Sequence, residues 1–261
     1  MPDDPPAADS AGQPWEGRRF QPNPSAADDG SAPAAYLEGM RAFRAGTLSA
    51  SGLADIVRGC RFLIPLVAVA GEVGENADGQ RIDKSQELSI ITVAGPDGRP
   101  ILPVFSSIAA MASWRADARP VPAEAQRVAL AAASEGTDRV VIDAGGDGLV
   151  LPRPAVWAIA RGTRWVPAVD DPEVLDAIAR PAEEHPEIVA VAPVAGDPEL
   201  RGSGPEIVVR LAVAAGVGAD RLRDAIGAMS ARWASDPLVA ERVDALSVQP
   251  VVLAGEREPG S

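Results

Sequence analysis

The stretch Leu88–Trp114, LSIITVAGPDGRPILPVFSSIAAMASW, decides the fold of this chain. Its apolar runs Leu88–Ala94 and Ile101–Phe105 are short and rich in β-branched residues, which predicts two strands. The Gly-Pro-Asp-Gly sequence between them favours a turn, because proline fixes φ and Asp-Gly accepts a positive φ. Ser106 or Ser107 is suited to cap a following helix. The stretch therefore predicts strand, turn, strand and helix in that order.

The pattern of the rest of the chain predicts a mixture of strands and helices. Further strands are predicted at Cys60–Ala70, Arg139–Asp143, Ile188–Pro193, Ile207–Val213 and Ala245–Val252. Helices are predicted from Ala34 to a stop at Gly46, after Ser51, at Ala123–Glu135, at Pro154–Arg161, from Asp171, and along the stripe Leu222, Ile226, Met229 and Trp233, which we interpret as core. Strands and helices do not alternate singly, so the predicted fold class is α+β, with mixed or antiparallel sheets packed with helices.

Composition divides the chain into two modules with a tail at each end. Residues 1–33 are rich in Pro, Ala, Ser, Asp and Gly, which predicts a disordered tail because too little apolar surface is present to offset chain entropy. An N-terminal domain is predicted at 34–169. A strong helix start at Asp171-Pro172-Glu173 indicates a smaller C-terminal module at 170–253, followed by a tail at 254–261.

The charge of the chain argues against several classes of partner. Its 37 acidic and 24 basic residues give a net charge of −13. A negative field repels phosphate backbones and anionic lipids, so neither a nucleic acid nor a membrane is expected as partner. The single cysteine fits a reducing compartment, and the N-terminal residues lack the pattern of a secretory signal. These features predict a cytoplasmic protein.

The side chains that most often carry catalysis are nearly absent. One residue each of histidine, cysteine, lysine and tyrosine is present: His185, Cys60, Lys84 and Tyr36. No metal site, cofactor or catalytic residue is therefore predicted. The glycine-containing segment 216–221 places Arg221 where a dinucleotide fingerprint needs glycine. The segment 143–148 lacks the distal acid of a calcium loop. Both are interpreted as turns.

The quoted stretch resembles the SseB family, named for enhanced serine sensitivity, and specifically its N-terminal domain. The shared pattern is an apolar strand, a turn, and a strand that ends Leu-Pro-Val-Phe before a serine and a helix. Arg18-Arg19-Phe20, Leu63–Val69 and Asp236-Pro237-Leu238-Val239 resemble actinobacterial-type members. The resemblance implies a fold, but no reaction or cofactor.

Two functional hypotheses follow. The preferred one is a non-catalytic module that binds an unidentified protein or small molecule. Its candidate interaction residues are Phe105, Trp157, Arg161, Arg164 and Trp165, because tryptophan and arginine are frequent in binding hot spots and four of these residues lie near the predicted module boundary. The alternative is a carboxylate-dependent hydrolase, which requires a cleft with two acids about 5–9 Å apart, at least one with a raised pKa.

Overall fold

The computed structural model describes residues 28–69, 74–75, 81–82, 87–95 and 97–253. The helices are α1 (Ala34–Arg44), α2 (Ala50–Arg58), α3 (Ile108–Trp114), α4 (Ala125–Ser134), α5 (Arg153–Arg161), α6 (Pro172–Ala179), α7 (Ala219–Ser235) and α8 (Pro237–Arg242). The strands are β1 (Arg61–Val69), β2 (Gly74–Glu75), β3 (Arg81–Ile82), β4 (Glu87–Ile90), β5 (Val93–Ala94), β6 (Pro100–Val104), β7 (Arg119–Glu124), β8 (Val140–Ile142), β9 (Leu149–Leu151), β10 (Ile188–Ala195), β11 (Ile207–Val213) and β12 (Leu246–Val252). Short 3₁₀ helices lie at Ala168–Asp170 and Arg180–Glu184. The α+β fold class is confirmed.

Two larger sheets in the first half of the chain meet at β1 and β6, and β2 and β3 pair in a separate two-stranded sheet. One sheet is antiparallel, with the order β4-β1-β7. The other is mixed, with the order β5-β6-β8-β9 and a parallel β6–β8 pair. An isolated bridge between Leu63 and Phe105 connects them. The predicted strand Leu88–Ala94 is divided, because β4 pairs with β1 whereas β5 pairs with β6.

Serine and aspartate side chains fix the starts of two helices. Of the two predicted caps of α3, Ser107 is the one used, since its Oγ accepts a hydrogen bond from the Ala110 N–H at 3.1 Å. The N–H of Ser106 instead donates to Asp143 Oδ1 at 2.8 Å. Asp171 caps α6 as predicted, and Pro172 occupies the first helical position.

The prediction that a helix begins at Ala123 is wrong. Ala123 belongs to β7, an edge strand, and α4 begins two residues later. The N–H of Ala125 donates to Cys60 O at 3.0 Å. Because backbone groups alternate in direction along an antiparallel strand, the odd-numbered residues of β7 direct their N–H and C=O groups toward β1. Pro120 and Pro122 fall on the intervening positions, where no N–H is needed, and prolines are tolerated on an edge strand for this reason.

The position of Pro65 inside β1 has a similar explanation. The N–H of Leu63 donates to Phe105 O at 2.8 Å, and Pro65 faces the same side two residues later. Pairing with β4 begins only at Leu66. Pro65 therefore lies in a gap between the bridge and the β4 ladder, and its missing N–H removes no hydrogen bond of the sheet.

The second half of the chain forms a sheet of order β10-β11-β12, packed with α6, α7 and α8. Strand β10 is antiparallel to β11, and β12 is parallel to it. Met229 and Trp233 of α7 are buried, and Leu222 and Ile226 pack partly buried against the same cluster, which confirms that the predicted stripe is core. The short helix α8 was not predicted.

The exposed edge of β12 carries a proline. Ala245 O accepts from the Ile207 N–H at 3.1 Å, and the Leu253 N–H donates to Val213 O at 3.0 Å. Both bonds come from odd-numbered residues on the β12 side, so the even-numbered residues direct their backbone groups away from β11. Pro250 is one of these residues, and the outer edge of β12 consequently lacks a donor near its middle.

The two larger apolar clusters of the described residues divide along the sequence. One contains buried side chains from Tyr36 to Trp165, together with Leu200, and the other runs from Ala168 to Val243. Each half of the chain thus has its own core. We refer to them as the N-terminal and C-terminal modules; the bounds proposed from composition stay a prediction.

Part of the predicted N-terminal tail packs on the N-terminal module. The carboxylate of Asp28 forms an ion pair with Arg61 at 2.5 Å, and Gly30 O accepts from the Ile108 N–H at 2.9 Å. The prediction of disorder for residues 1–27 and 254–261 lies outside the described residues, as does Lys84. None of the helices within the described ranges is long and apolar enough to cross a membrane.

Candidate functional site

A cleft of about 240 Å³ lies where the end of α5, the segment that follows it and α8 meet. The segment belongs to the N-terminal module and α8 to the C-terminal module, so both modules contribute to the wall. Aromatic, charged and small apolar side chains line it, among them Trp157, Arg161, Arg164, Trp165, Glu241 and Arg242. We call it the Trp157 cleft.

One face of α5 carries Arg153, Trp157 and Arg161 at successive spacings of four residues. Residues four apart on a helix are neighbours. The guanidinium carbons of Arg153 and Arg161 lie 4.9 and 5.7 Å from the centre of the Trp157 ring. Both distances are within the range of a cation–π interaction. The two arginines thereby hold the half-buried indole in place at the cleft.

Arg153 also joins the two modules. Its Nη2 donates to the backbone oxygen of Ala240 at 2.7 Å and to that of Val243. Both acceptors lie at the end of α8, where backbone carbonyls have no partner within the helix. The contact therefore fixes α8 against α5 and sets the width of the cleft at this point.

Arg161 and Arg164 present exposed guanidinium groups on the α5 side. Arg161 forms an ion pair with Glu241 at 3.1 Å, with the two side chains 60% and 53% exposed. The side chain of Arg164 is 67% exposed, and its Nε donates to Ser51 Oγ at 3.0 Å and forms an ion pair with Asp55 Oδ2 at 3.6 Å. Among the described residues, the terminal nitrogens of Arg164 have no hydrogen-bond partner.

The other side of the cleft is held by an arginine that bridges two acids. Arg242 Nη1 lies 2.9 Å from Asp171 Oδ2 and 2.7 Å from Glu173 Oε2. The hydrogen bonds that Arg242 donates to Asp171 and Glu173 raise the pKa of Arg242, so this side chain stays charged at any physiological pH. Asp171 simultaneously caps α6. The residue that caps α6 therefore also positions the arginine of this wall.

Trp165 forms the inner part of the wall. The residue is buried, and its backbone oxygen accepts from Ser51 Oγ at 2.7 Å. Ser51 therefore links Trp165 to Arg164, which donates to the same hydroxyl. Within the described part of the chain, no acceptor lies within reach of the indole N–H of Trp165. An unpaired buried donor is costly, about 1–3 kcal/mol.

The structure brings four of the five predicted interaction residues together. Trp157, Arg161, Arg164 and Trp165 all line the Trp157 cleft. Phe105 does not: it is fully buried, and its ring centre lies 5.1 Å from that of Trp114 in a separate small apolar cluster. Its side chain has no exposed surface to offer a partner.

Three further residues at the cleft were not predicted from the sequence: Arg153, Glu241 and Arg242. Arg153 had a local signal, its four-residue spacing from Trp157 on the predicted helix. Glu241 and Arg242 had none, because they reach the cleft only through the packing of α8, which the sequence pattern did not predict.

A second polar cluster lies at the contact between the modules, where buried charges meet. Arg139 is buried and lies 2.5 Å from Asp244 and 2.8 Å from Asp97. Arg99 bonds the same two acids, at 3.0 Å to Asp244 and 2.8 Å to Asp97. Asp97 is the acid of the predicted Gly-Pro-Asp-Gly turn. The turn therefore supplies an ion-pair partner for Arg99 and Arg139 from within the N-terminal module.

Glu206 extends the cluster with a second buried carboxyl group. Its Oε2 accepts from the Asp244 N–H at 2.6 Å, whereas Oε1 has no partner within the described residues. Burial raises the pKa of Glu206 to about 7, and burial also raises the pKa of Asp244 despite the nearby Arg99. The cavity that touches both acids has a volume of about 30 Å³. Such a volume holds about one or two waters.

Within the ranges that the structure describes, no group of three or more histidine, cysteine or acidic side chains is arranged to hold a metal ion.

The comparisons with known proteins concern the N-terminal module. Residues 37–158 match the family model described as SseB protein N-terminal domain. The matched range extends from α1 into α5 and so includes Trp157, but ends before Arg161, Arg164 and Trp165. No curated protein and no solved structure matches the chain. The match covers the stretch from which the resemblance was inferred, and it supports the similarity of residues 37–158 to an SseB N-terminal domain.

Proposed function

We propose that the whole chain is an SseB-like protein of the actinobacterial type, which acts in the cytoplasm as a non-catalytic binding module. The Trp157 cleft is the binding site, and its occupant is a protein segment or a small molecule. The observation that carries this proposal is the convergence of Trp157, Arg161 and Arg164 on one cleft between two modules. Partly exposed tryptophans and arginines that share a cleft are typical of binding hot spots.

The charged groups of the cleft suit binding better than proton transfer. Arg161 is paired with Glu241, and Arg242 with Asp171. An arginine keeps its proton throughout the physiological range and is a poor general acid or base. Its planar set of donors is instead well matched to an anionic oxygen group.

The hydrolase alternative has a specific candidate in Glu206 and Asp244. The raised pKa of Glu206 is the feature that such a reaction needs. Two observations weigh against it: Asp244 is paired with Arg99 and Arg139, and the adjoining cavity of about 30 Å³ is too small for a substrate. The same carboxyl groups have a structural role where the modules meet, and we favour that role.

The proposal is tested by recovering the occupant from the native host. The tagged full chain is crosslinked gently and purified, and bound proteins and small molecules are identified by mass spectrometry. We expect a reproducible, stoichiometric occupant that is lost with Trp157→Ala. Trp114→Ala is the matched control, because Trp114 is also a half-buried tryptophan on a helix but does not line the cleft.

Thermal unfolding of both variants separates loss of the site from loss of the fold. An occupant retained by folded Trp157→Ala would contradict the assignment of the cleft. Recovery of neither a protein nor a small molecule with the unsubstituted chain would overturn the binding function itself.

A further inference from the structure

We infer that the C-terminal sheet binds an amphipathic helix of another protein, and that the apolar face of this helix carries one carboxylate. The helix lies on the side of the sheet opposite α6, α7 and α8. This surface is separate from the Trp157 cleft, so the inference does not depend on the proposed function. It follows from the composition of this side of the sheet, from one unpaired charge at its centre, and from the two edges of the sheet.

One side of the C-terminal sheet is not covered by its helices. On β11 the odd-numbered residues from Ile207 to Val213 are buried in the core, so the residues between them point to the other side. Strand pairing places residues of β10 and β12 beside them. We call this side the open face. Its residues, in rows across β10, β11 and β12, are Val194, Val208 and Ser247, then Ala192, Arg210 and Gln249, then Ala190, Ala212 and Val251.

The open face is apolar, although a sheet face in contact with water is ordinarily polar. Six of its nine residues are alanine or valine, and none of the nine is buried. Val251 is 46% exposed, and Leu253, which continues the same side beyond the end of β12, is 43% exposed. Contiguous exposed apolar surface is typical of an interaction site. The composition therefore indicates that a partner covers this face.

The single charged residue of the open face lies in its middle row and has no counter-ion. Within the described part of the chain, Arg210 takes part in no ion pair and no side-chain hydrogen bond. The arginines of the Trp157 cleft differ in this respect, because Arg161, Arg164 and Arg242 are each paired with an acid. A guanidinium group that becomes covered needs a carboxylate, since a buried unpaired charge is strongly destabilising. The partner therefore supplies an acid opposite Arg210.

The same charge argues against a symmetric pair of copies of this chain. Two open faces packed on each other would bring together two copies of Arg210, and the face holds no acid to pair with either. Like charges placed opposite each other are destabilising. The occupant is therefore a different surface, with a carboxylate among apolar side chains.

The edges of the sheet disfavour a partner that adds a strand. The Gly196 N–H donates to Glu206 O at 3.0 Å, so the even-numbered residues from 190 to 196 bond to β11 and the odd-numbered ones point outward. Pro193 is one of the outward residues of β10, as Pro250 is of β12. Each edge thus lacks a donor where an added strand would pair. The partner consequently packs on the face.

The dimensions of the open face suit a single helix. Neighbouring strands lie about 4.8 Å apart, so the outer strands of three are about 10 Å apart. A helix with its side chains is about 10–12 Å in diameter. The short side chains of Ala190, Ala192 and Ala212 lie beside Arg210 and let a helix approach closely, while the longer arginine reaches the acid.

The inference is tested by site-specific photocrosslinking of the full chain in its native host. p-Benzoylphenylalanine replaces Gln249 on the open face, and in the matched control it replaces Asp224, an exposed residue of α7 on the other side of the sheet. We expect one discrete adduct from position 249 and none of the same mass from position 224. Mass spectrometry should identify a segment of another protein in which one Asp or Glu lies among apolar residues three and four positions apart.

Charge reversal then tests the role of Arg210. Arg210→Glu should lower the adduct yield at least about tenfold, because a charge-assisted hydrogen bond is replaced by repulsion. Replacing the partner's acid with arginine should restore the yield with this variant. Arg180→Glu is the matched control, since Arg180 is an exposed arginine outside the open face and makes the same change in net charge. Urea unfolding confirms that each variant is folded.

Four outcomes would overturn the inference. They are the absence of an adduct from position 249, an adduct with a second copy of the chain, a crosslinked segment without an acid, and an adduct yield unchanged by folded Arg210→Glu. Failure of the reversed partner to restore the yield would contradict the pairing with Arg210. None of these outcomes bears on the Trp157 cleft, whose occupant is tested separately.

Discussion

Glu206 departs strongly from the ordinary behaviour of a glutamate. One carboxylate oxygen accepts the Asp244 N–H, and the other has no partner among the described residues. Asp244 raises and Arg153 lowers its pKa, but burial is the larger effect and brings the pKa from an ordinary 4.5 to about 7. The side chain was not distinguishable in the sequence, because only the contact between the modules buries it.

The raised pKa predicts how stability depends on pH. Below pH 4.5 Glu206 is protonated in both the folded and the unfolded state, so its protonation does not change the free energy of unfolding there. Between pH 4.5 and 7 the folded state keeps a proton that the unfolded state has lost, so the free energy of unfolding falls as pH rises, by about 3 kcal/mol in total. Urea unfolding at pH 5 and pH 7.5 measures this. Glu206→Gln should remove that part of the pH dependence, and an unchanged pH profile would contradict the assignment.

At the scale of elements, prolines show what sequence patterns predict and where they fail. The run Cys60–Ala70 was correctly predicted as a strand although Pro65 lies within it, because a continuous apolar run outweighs one missing donor. The helix predicted at Ala123–Glu135 was placed too early, because a proline such as Pro122 is common at the start of a helix. The position of Pro122 on an edge strand depends on pairing with β1. Because β1 is distant in sequence, local sequence patterns do not predict this pairing.

The proline on the edge of β12 should limit self-association of the C-terminal sheet. Pro250→Thr adds an N–H to the exposed edge, where it can donate to a strand of a second molecule. In a symmetric pair each copy supplies one such bond, so we expect the dimer dissociation constant to fall by about tenfold.

Sedimentation equilibrium over a range of concentrations measures this change. Gln249→Thr is the control, because it introduces the same residue at the neighbouring position, where the N–H already faces β11. Equal self-association of the two variants would show that the edge donor is not the cause.

At the scale of the whole molecule, local patterns predicted the α+β class and the convergence of residues near the module boundary. Trp157, Arg161, Arg164 and Trp165 lie within nine positions of one another, so a helix and the segment after it place them together. The charged cluster was not predictable, because Arg139 and Asp244 are separated by 105 positions. Their contact follows from the docking of the modules, for which neither residue carries a local signal.

This cluster should make a coupled contribution to stability. Arg139→Met is expected to lower the free energy of unfolding by about 3 kcal/mol, because Asp244 stays buried with one partner fewer. The double variant Arg139→Met, Asp244→Leu should lose less free energy of unfolding than the sum of the losses in the two single variants. Urea unfolding of the four proteins gives the coupling energy. Strict additivity would show that the two side chains do not stabilise each other.

The separation of Arg139 from Asp244 also has a consequence during synthesis. The ribosome adds about 5–20 residues per second, so Asp244 is made about 5–20 s after Arg139. Apart from Leu200, the N-terminal core is complete in sequence at Trp165 and has time to fold during this interval. In the meantime Asp97, which precedes Arg139 in the chain, is a partner already available to its guanidinium group. The turn that contains Asp97 thereby provides a counter-charge for Arg139 before the second module is made.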